Sequence, residues 1–159
     1  NDAEKAVREI NTGIYAFNNQ SLFEGLKHLN NNNAQNEYYL TDLVEILKKL
    51  GKKVVAIPCD DWQEVQGING NVELAHAAKY MQERINTEWM KKGVTIYDPN
   101  TTYIGPNVTF GTDVIIHPNT YLYGDVTVED YAEILPGTWL EDTNVSKAET
   151  VGPFVRRKG

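Results

Sequence analysis

From Ile104 onward, large apolar residues recur at every sixth position. Positions 104, 110, 116, 122, 128, 134 and 140 hold Ile, Phe, Ile, Leu, Val, Ile and Leu. In a chain that is 41% hydrophobic, such a run has a chance of roughly 0.002, or about 1% over six registers. A second series, Val108, Val114, Thr120, Val126, Ala132 and Thr138, is small or β-branched throughout. A large residue pointing into a prism, with a small one where the chain turns, is the hexapeptide signature of a parallel β-helix. The register slips by one after Leu140, since the next apolar positions are Val145 and Val151. Seven hexads at three per coil predict just over two coils. The competing reading is an irregular all-β segment.

Before the repeat the periods are those of mixed α/β structure. Thr12-Gly13-Ile14-Tyr15-Ala16-Phe17 alternates as a buried strand does, and residues 54–57 predict a second strand. Ser21-Leu22-Phe23-Glu24 has capping-box spacing ahead of a helix with Leu22, Phe23, Leu26 and Leu29 on one face. The polar run Asn30 to Asn33 ends it. Another helix opens at Thr41, turns Val44, Leu47 and Leu50 inward and stops at Gly51. Asn71 caps a long helix carrying Leu74, Ala78, Met81, Ile85 and Trp89, which ends at Gly93. Residues 1–70 thus read as the tail of an α/β domain, 71–93 as a linker helix and 94–159 as the start of the repeat.

Composition narrows the function classes. The chain has 159 residues, about one domain's length, and no 18-residue apolar run that could span a membrane. Its net charge is −7, which disfavours nucleic acid. The charge is uneven: residues 94–155 hold one Lys and nine acids. A lone cysteine, Cys59, excludes an internal disulfide and suits a reducing cytoplasm, where it reads as an inert thiol. Neither a signal peptide nor an initiator Met is present, and neither half looks self-sufficient, so an internal piece of a larger protein is expected.

Three ordered motifs carry a family resemblance. They are Glu9-Ile10-Asn11-Thr12-Gly13-Ile14-Tyr15, then Asn32-Asn33-Ala34-Gln35-Asn36-Glu37-Tyr38-Tyr39-Leu40-Thr41-Asp42, then Glu64-Val65-Gln66-Gly67-Ile68-Asn69. A long helix, Gly93-Val94-Thr95-Ile96-Tyr97-Asp98-Pro99 and the hexads come after them. Over nearly its whole length the chain closely resembles the bacterial bifunctional N-acetylglucosamine-1-phosphate uridylyltransferase/glucosamine-1-phosphate acetyltransferases. The resemblance implies an α/β fold, here the C-terminal part of a Rossmann-like nucleotidyltransferase domain. A linker helix and the first coils of a left-handed parallel β-helix would come next. It also places the glycine-rich nucleotide loop upstream of Asn1 and the acetyltransferase coils downstream of Gly159.

The same resemblance assigns site residues. Asn11 would hydrogen-bond the nucleotide sugar, since an amide both donates and accepts as a hydroxyl-rich ligand does. Tyr39 and Thr41 would contact the sugar. Asn69 would give its side-chain oxygen to Mg²⁺ together with an upstream aspartate, in keeping with that ion's preference for oxygen. Read without the family, Asn11 and Asn69 are turn residues, Tyr39 is a core residue and Thr41 a helix cap. Asn36 stands where the family has Gly, and asparagine tolerates a left-handed backbone. His117 and His76 have no acid or nucleophile at a useful spacing. Asp60-Asp61 reads as a solvated loop. Arg156-Arg157-Lys158 departs from the family's Arg-Pro step and receives no role. No catalytic residue is expected within the chain.

In function, the resemblance implies a cytoplasmic, cell-wall-precursor enzyme. It would join UTP and N-acetylglucosamine 1-phosphate into UDP-N-acetylglucosamine, and acetylate glucosamine 1-phosphate from acetyl-CoA. Family members pack three β-helices side by side, so a homotrimer is expected, with Tyr121, Tyr123, Tyr131 and Trp139 facing outward. These residues alone are expected to be inactive. The alternatives are another sugar nucleotidyltransferase with an attached β-helix, and a non-catalytic oligomerisation module.

Overall fold

The structure, a computed structural model, describes residues 9–159. Compactness divides it into two units that part between Gly67 and Ile68. Among the described residues no helix is long and apolar enough to cross a membrane.

Among the described residues the first unit is built on two short helices, α1 (Asn19–Leu26) and α2 (Leu43–Lys49). Asn18, not Ser21, caps α1: its side chain accepts from the Ser21 N–H at 3.1 Å. Phe23, expected on the inner face, is 60% exposed. The helices meet where α1 presents Gly25, because an added Cβ would lie 3.0 Å from Leu43 and 3.2 Å from Leu47. A 3₁₀ turn (Leu40–Asp42) precedes α2 and delays its start by two residues. The buried stripe therefore rotates to Leu43 and Leu47, and Val44 faces out. Gly51, at φ +73°, closes α2 with Lys52 N–H donating to Leu47 O at 2.9 Å.

The two strands predicted in this unit do not form. Residues 12–17 and 54–57 carry no ladder pairing. Alternation prepares a segment for a sheet, but a strand exists only when its N–H and C=O groups find a neighbour. No such neighbour lies among the described residues.

The second unit opens with α3 (Asn71–Lys91), preceded by Gly70. Eleven short strands come next and stack into three parallel sheets. The first sheet holds β1 (Thr95–Ile96), β4 (Ile115–Ile116), β7 (Glu133–Ile134) and β10 (Thr150–Val151) in that order. The second holds β2 (Thr102–Ile104), β5 (Thr120–Tyr123), β8 (Trp139–Glu141) and β11 (Arg156–Lys158). The third holds β3 (Thr109–Phe110), β6 (Thr127–Val128) and β9 (Asn144–Val145). That is three full coils and two strands of a fourth, not just over two. The hexad count missed β1, and the one-residue slip hid β9 to β11.

Register explains the slip. Thr102 pairs with Thr120 and Tyr121 with Trp139, 18 residues apart. Thr127 pairs with Asn144 and Glu133 with Thr150, 17 apart. One residue has been removed at the corner after β8. Conversely, Thr95 pairs with Ile115, 20 apart, because a 3₁₀ turn (Pro99–Thr101) lengthens the first corner.

Both series of the hexad reach the interior. Ile116, Leu122, Val128, Ile134 and Leu140 are fully buried, as are Val114 and Ala132. Thr102, Thr120 and Thr138 also have no exposure. Their hydroxyls donate to the carbonyls of Asp98, His117 and Leu135 at 2.8, 2.8 and 2.7 Å. A threonine can therefore replace valine there without leaving a buried hydroxyl unpaired. Ile85 and Trp89 of α3 pack against this core, with Trp89 edge-on to Phe110 at 4.9 Å. Gln82 and Asn86, one turn apart on α3, donate to the carbonyls of the first corner.

Candidate functional site

Asn11 lies exposed in an irregular stretch ahead of α1. Gly13 adopts φ +77°, and its N–H donates to Asn11 Oδ1 at 2.9 Å. The other end of the amide donates to the Tyr15 hydroxyl, and the Tyr15 ring stacks on Phe17. Here the amide has both donor and acceptor engaged.

Tyr39 is half-buried and extended at the entrance to the 3₁₀ turn, and its hydroxyl donates to Gln35 Oε1 at 2.8 Å. Thr41 sits inside that turn with its side chain exposed, so it does not cap α2. Together with Asp42, Val44, Glu45, Lys48 and Lys49, Thr41 lines a shallow groove of about 550 Å³. Asn36 takes φ +53°, the left-handed conformation anticipated for it. Tyr39 and Thr41 therefore share one turn, while Asn11 keeps its own partners.

Asn69 belongs to the second unit, exposed just ahead of α3. One neutral amide oxygen is a suitable hard donor for Mg²⁺ but does not make a site. Among the described residues no group of three or more His, Cys, Asp or Glu is placed to hold a metal. The described residues do not by themselves make a complete Mg²⁺ centre.

One arrangement was not legible in the sequence, and of a second only the outward members, not their stacking, were. His117 Nε2 lies 2.8 Å from Glu133 Oε1, and Tyr97 stands edge-on to the imidazole at 5.0 Å. Sixteen residues separate the pair, a spacing without meaning until the coil length is known. The signal was the coil itself: an offset two short of 18 brings one corner under the next strand. Second, the outward residues of the second sheet form a ladder. Tyr103 and Tyr121 stack at 5.0 Å, and Tyr121 and Trp139 at 5.1 Å. Burial pushes the Tyr123 phenol up, with Tyr103 and Tyr121 adding to it. Tyr131 is not part of this ladder; it sits exposed at a corner with φ +61°. Cys59 is exposed and donates to Asp61 O in a loop.

Several known proteins align with almost all of the chain. A protein of Latilactobacillus sakei named bifunctional protein GlmU is 47% identical over 145 residues, covering 91% of this chain and 31% of that protein. Proteins of the same name from Halalkalibacterium halodurans and Brevibacillus brevis are 43% and 45% identical over 148 and 150 residues. They cover 93% and 94% of this chain, and each match takes in 32% of the relative. The chain thus spans about a third of the length of the curated relatives it matches. No family model matches it.

Proposed function

We propose that this chain, a homologue of about a third of the bifunctional GlmU proteins, supplies the sugar-binding wall and first β-helix coils of such an enzyme. The activity would be the transfer of uridylyl from UTP to N-acetylglucosamine 1-phosphate, releasing pyrophosphate. A second activity, acetylation of glucosamine 1-phosphate from acetyl-CoA, would be built on further coils. The observation that carries the reading is the extent of the match, 91–94% of the chain at 43–47% identity.

In this reading Asn11 donates to and accepts from a sugar hydroxyl, exchanging its bonds to Tyr15 and Gly13. Tyr39 and Thr41 present two further hydroxyls from the 3₁₀ turn. Asn69 would contribute one oxygen to a Mg²⁺ ion whose carboxylate partner would have to come from elsewhere in the enzyme. These residues bind and orient, and the phosphate cradle lies outside them. The 159 residues alone are therefore inactive in both transfers. Preorganised charge stabilisation is commonly the largest catalytic term, and losing one donor costs about 10²–10³ in rate.

A chimera tests this. The 145 aligned residues of the Latilactobacillus sakei protein would be replaced by those of this chain, and pyrophosphate release from UTP and N-acetylglucosamine 1-phosphate measured with Mg²⁺. The chimera is expected to turn over, its Asn69→Ala form to lose about 10²-fold or more, and the isolated chain to show nothing. A chimera that folds without turnover, or an Asn69→Ala form at full rate, would sink the assignment.

A homotrimer belongs to the same reading and is supported by the half-buried aromatic ladder on the second sheet. Light scattering should give three times the 18.0 kDa chain mass. A monomer at high micromolar concentration would refute it.

A further inference from the structure

Asn69-Gly70 is the one place in the sequence where asparagine is followed by glycine. An asparagine side chain holds its amide carbon within reach of the next residue's backbone nitrogen, so that a succinimide ring can close between them. The reaction is slowed by whatever crowds that nitrogen, and a Cβ on the following residue is the usual obstacle. Glycine has none, and it lets neighbouring groups approach its backbone closely. Asparagine counts among the thermolabile residues through this chemistry.

The local structure leaves this step unhindered. Asn69 lies in irregular backbone, and Gly70 is extended, at φ −161° and ψ −179°, just ahead of α3. The Gly70 carbonyl accepts from Leu74 N–H at 3.0 Å. Among the described residues, neither the Gly70 N–H nor the Asn69 amide has a hydrogen-bond partner. The nitrogen can therefore lose its proton and turn onto the side chain without breaking a bond that the fold needs.

Other asparagines are held or crowded. Asn11 has both ends of its amide engaged and precedes Thr12. Asn33 accepts from the Gln35 and Glu37 N–H groups and donates to Glu37 O. Asn86 is buried within α3, donates to two carbonyls and precedes Thr87. Asn107 and Asn144 both precede valines, and Val145 lies within β9.

We propose that Asn69 is a modification site, converted by spontaneous deamidation with water as the co-reactant. Gly70 N forms a bond to Asn69 Cγ, its proton passes by way of solvent to Nδ2, and the Cγ–Nδ2 bond breaks with release of ammonia. The succinimide then adds water. Opening between Cγ and the nitrogen gives aspartate; opening at the former backbone carbonyl gives isoaspartate, whose main chain runs through Cγ. Either way an anion replaces a neutral amide. The site stands on the local residues alone. On the reading that Asn69 gives its amide oxygen to Mg²⁺, the conversion puts a charged donor in that place, or shifts it by one main-chain carbon.

Ageing the 159-residue chain at mildly alkaline pH, followed by peptide mass spectrometry, tests this. The peptide holding Asn69 is expected to gain the mass of –OH over –NH₂ about tenfold or more faster than any other asparagine peptide. Electron-transfer fragmentation should resolve both aspartate and isoaspartate in it. Gly70→Ala should slow the conversion about tenfold or more. That variant keeps the fold, because extended backbone accepts alanine and the new Cβ would meet only the flexible end of Glu73, 3.0 Å from Oε2. The folded chain should convert within about threefold of the rate in urea, since the fold does not shield the step. An Asn69 peptide of unchanged mass, conversion confined to the urea-unfolded chain, or a Gly70→Ala chain that ages as fast as the parent would overturn the site.

Discussion

Truncating Leu122 to alanine is expected to destabilise the β-helix by about 3–5 kcal/mol, near the top of the range for buried leucines. Leu122 has no exposure and sits between Ile104 below and Leu140 above in one interior column. The stack is fixed by ladder hydrogen bonds on all three sides, so it cannot collapse into the space left. Both the lost transfer energy and the cavity term therefore count in full. Urea unfolding followed by circular dichroism would show the midpoint falling with little change in slope. Val72→Ala, on the exposed side of α3 at 66% exposure, should stay within about 0.5 kcal/mol. A Leu122→Ala effect as small as the Val72 one would mean that the column does not carry the fold.

The second large effect is a coupling. Asn86 has no exposure, and its Nδ2 donates to the carbonyls of Pro99 and Thr102 at 2.9 Å each. Gln82, one helical turn earlier, donates to the same two carbonyls at 2.9 and 3.0 Å and to Asn100 O at 3.1 Å. Either amide can cover for the other. Removing one costs about 1–2 kcal/mol, while removing both strands buried carbonyls at about 1–3 kcal/mol each. The double variant Gln82→Ala, Asn86→Ala should thus exceed the sum of the singles by about 1 kcal/mol or more. Additivity within a few tenths would show that the two amides act independently. Asn86 Oδ1 is itself buried without a partner, so part of the single-variant cost is offset by losing that orphan.

How much of this was legible beforehand differs between the units. The hexad residues from Ile104 to Leu140 reach the interior because a six-residue repeat leaves side-chain direction little freedom: Phe110 stays half-buried and the rest are buried. The number of coils was not legible, since coil count depends on β1 and on strands beyond the register slip. In the first unit, alternation at residues 12–17 and 54–57 described side chains suited to a sheet, but pairing is a long-range property that no local pattern contains. Val44 was misplaced for a smaller reason: a 3₁₀ turn moved the start of α2 and rotated its inner face onto Leu43. Of the candidate site, Tyr39 and Thr41 came together on one turn as neighbours in sequence must. The pairing of His117 with Glu133 needed the coil length.

The spacing of paired residues, 20 for the first strand pair, 18 for the next four and 17 for the last three, fixes how distant in the chain any ladder contact can be. Each new coil closes a loop of nearly the same length, so the entropic cost of adding it hardly varies along the stack. Contact order, measured against chain length, falls as coils accumulate, whereas in most β folds it stays high. Such a solenoid can assemble as a zipper: once two neighbouring coils have docked, every further coil meets a finished template one loop away.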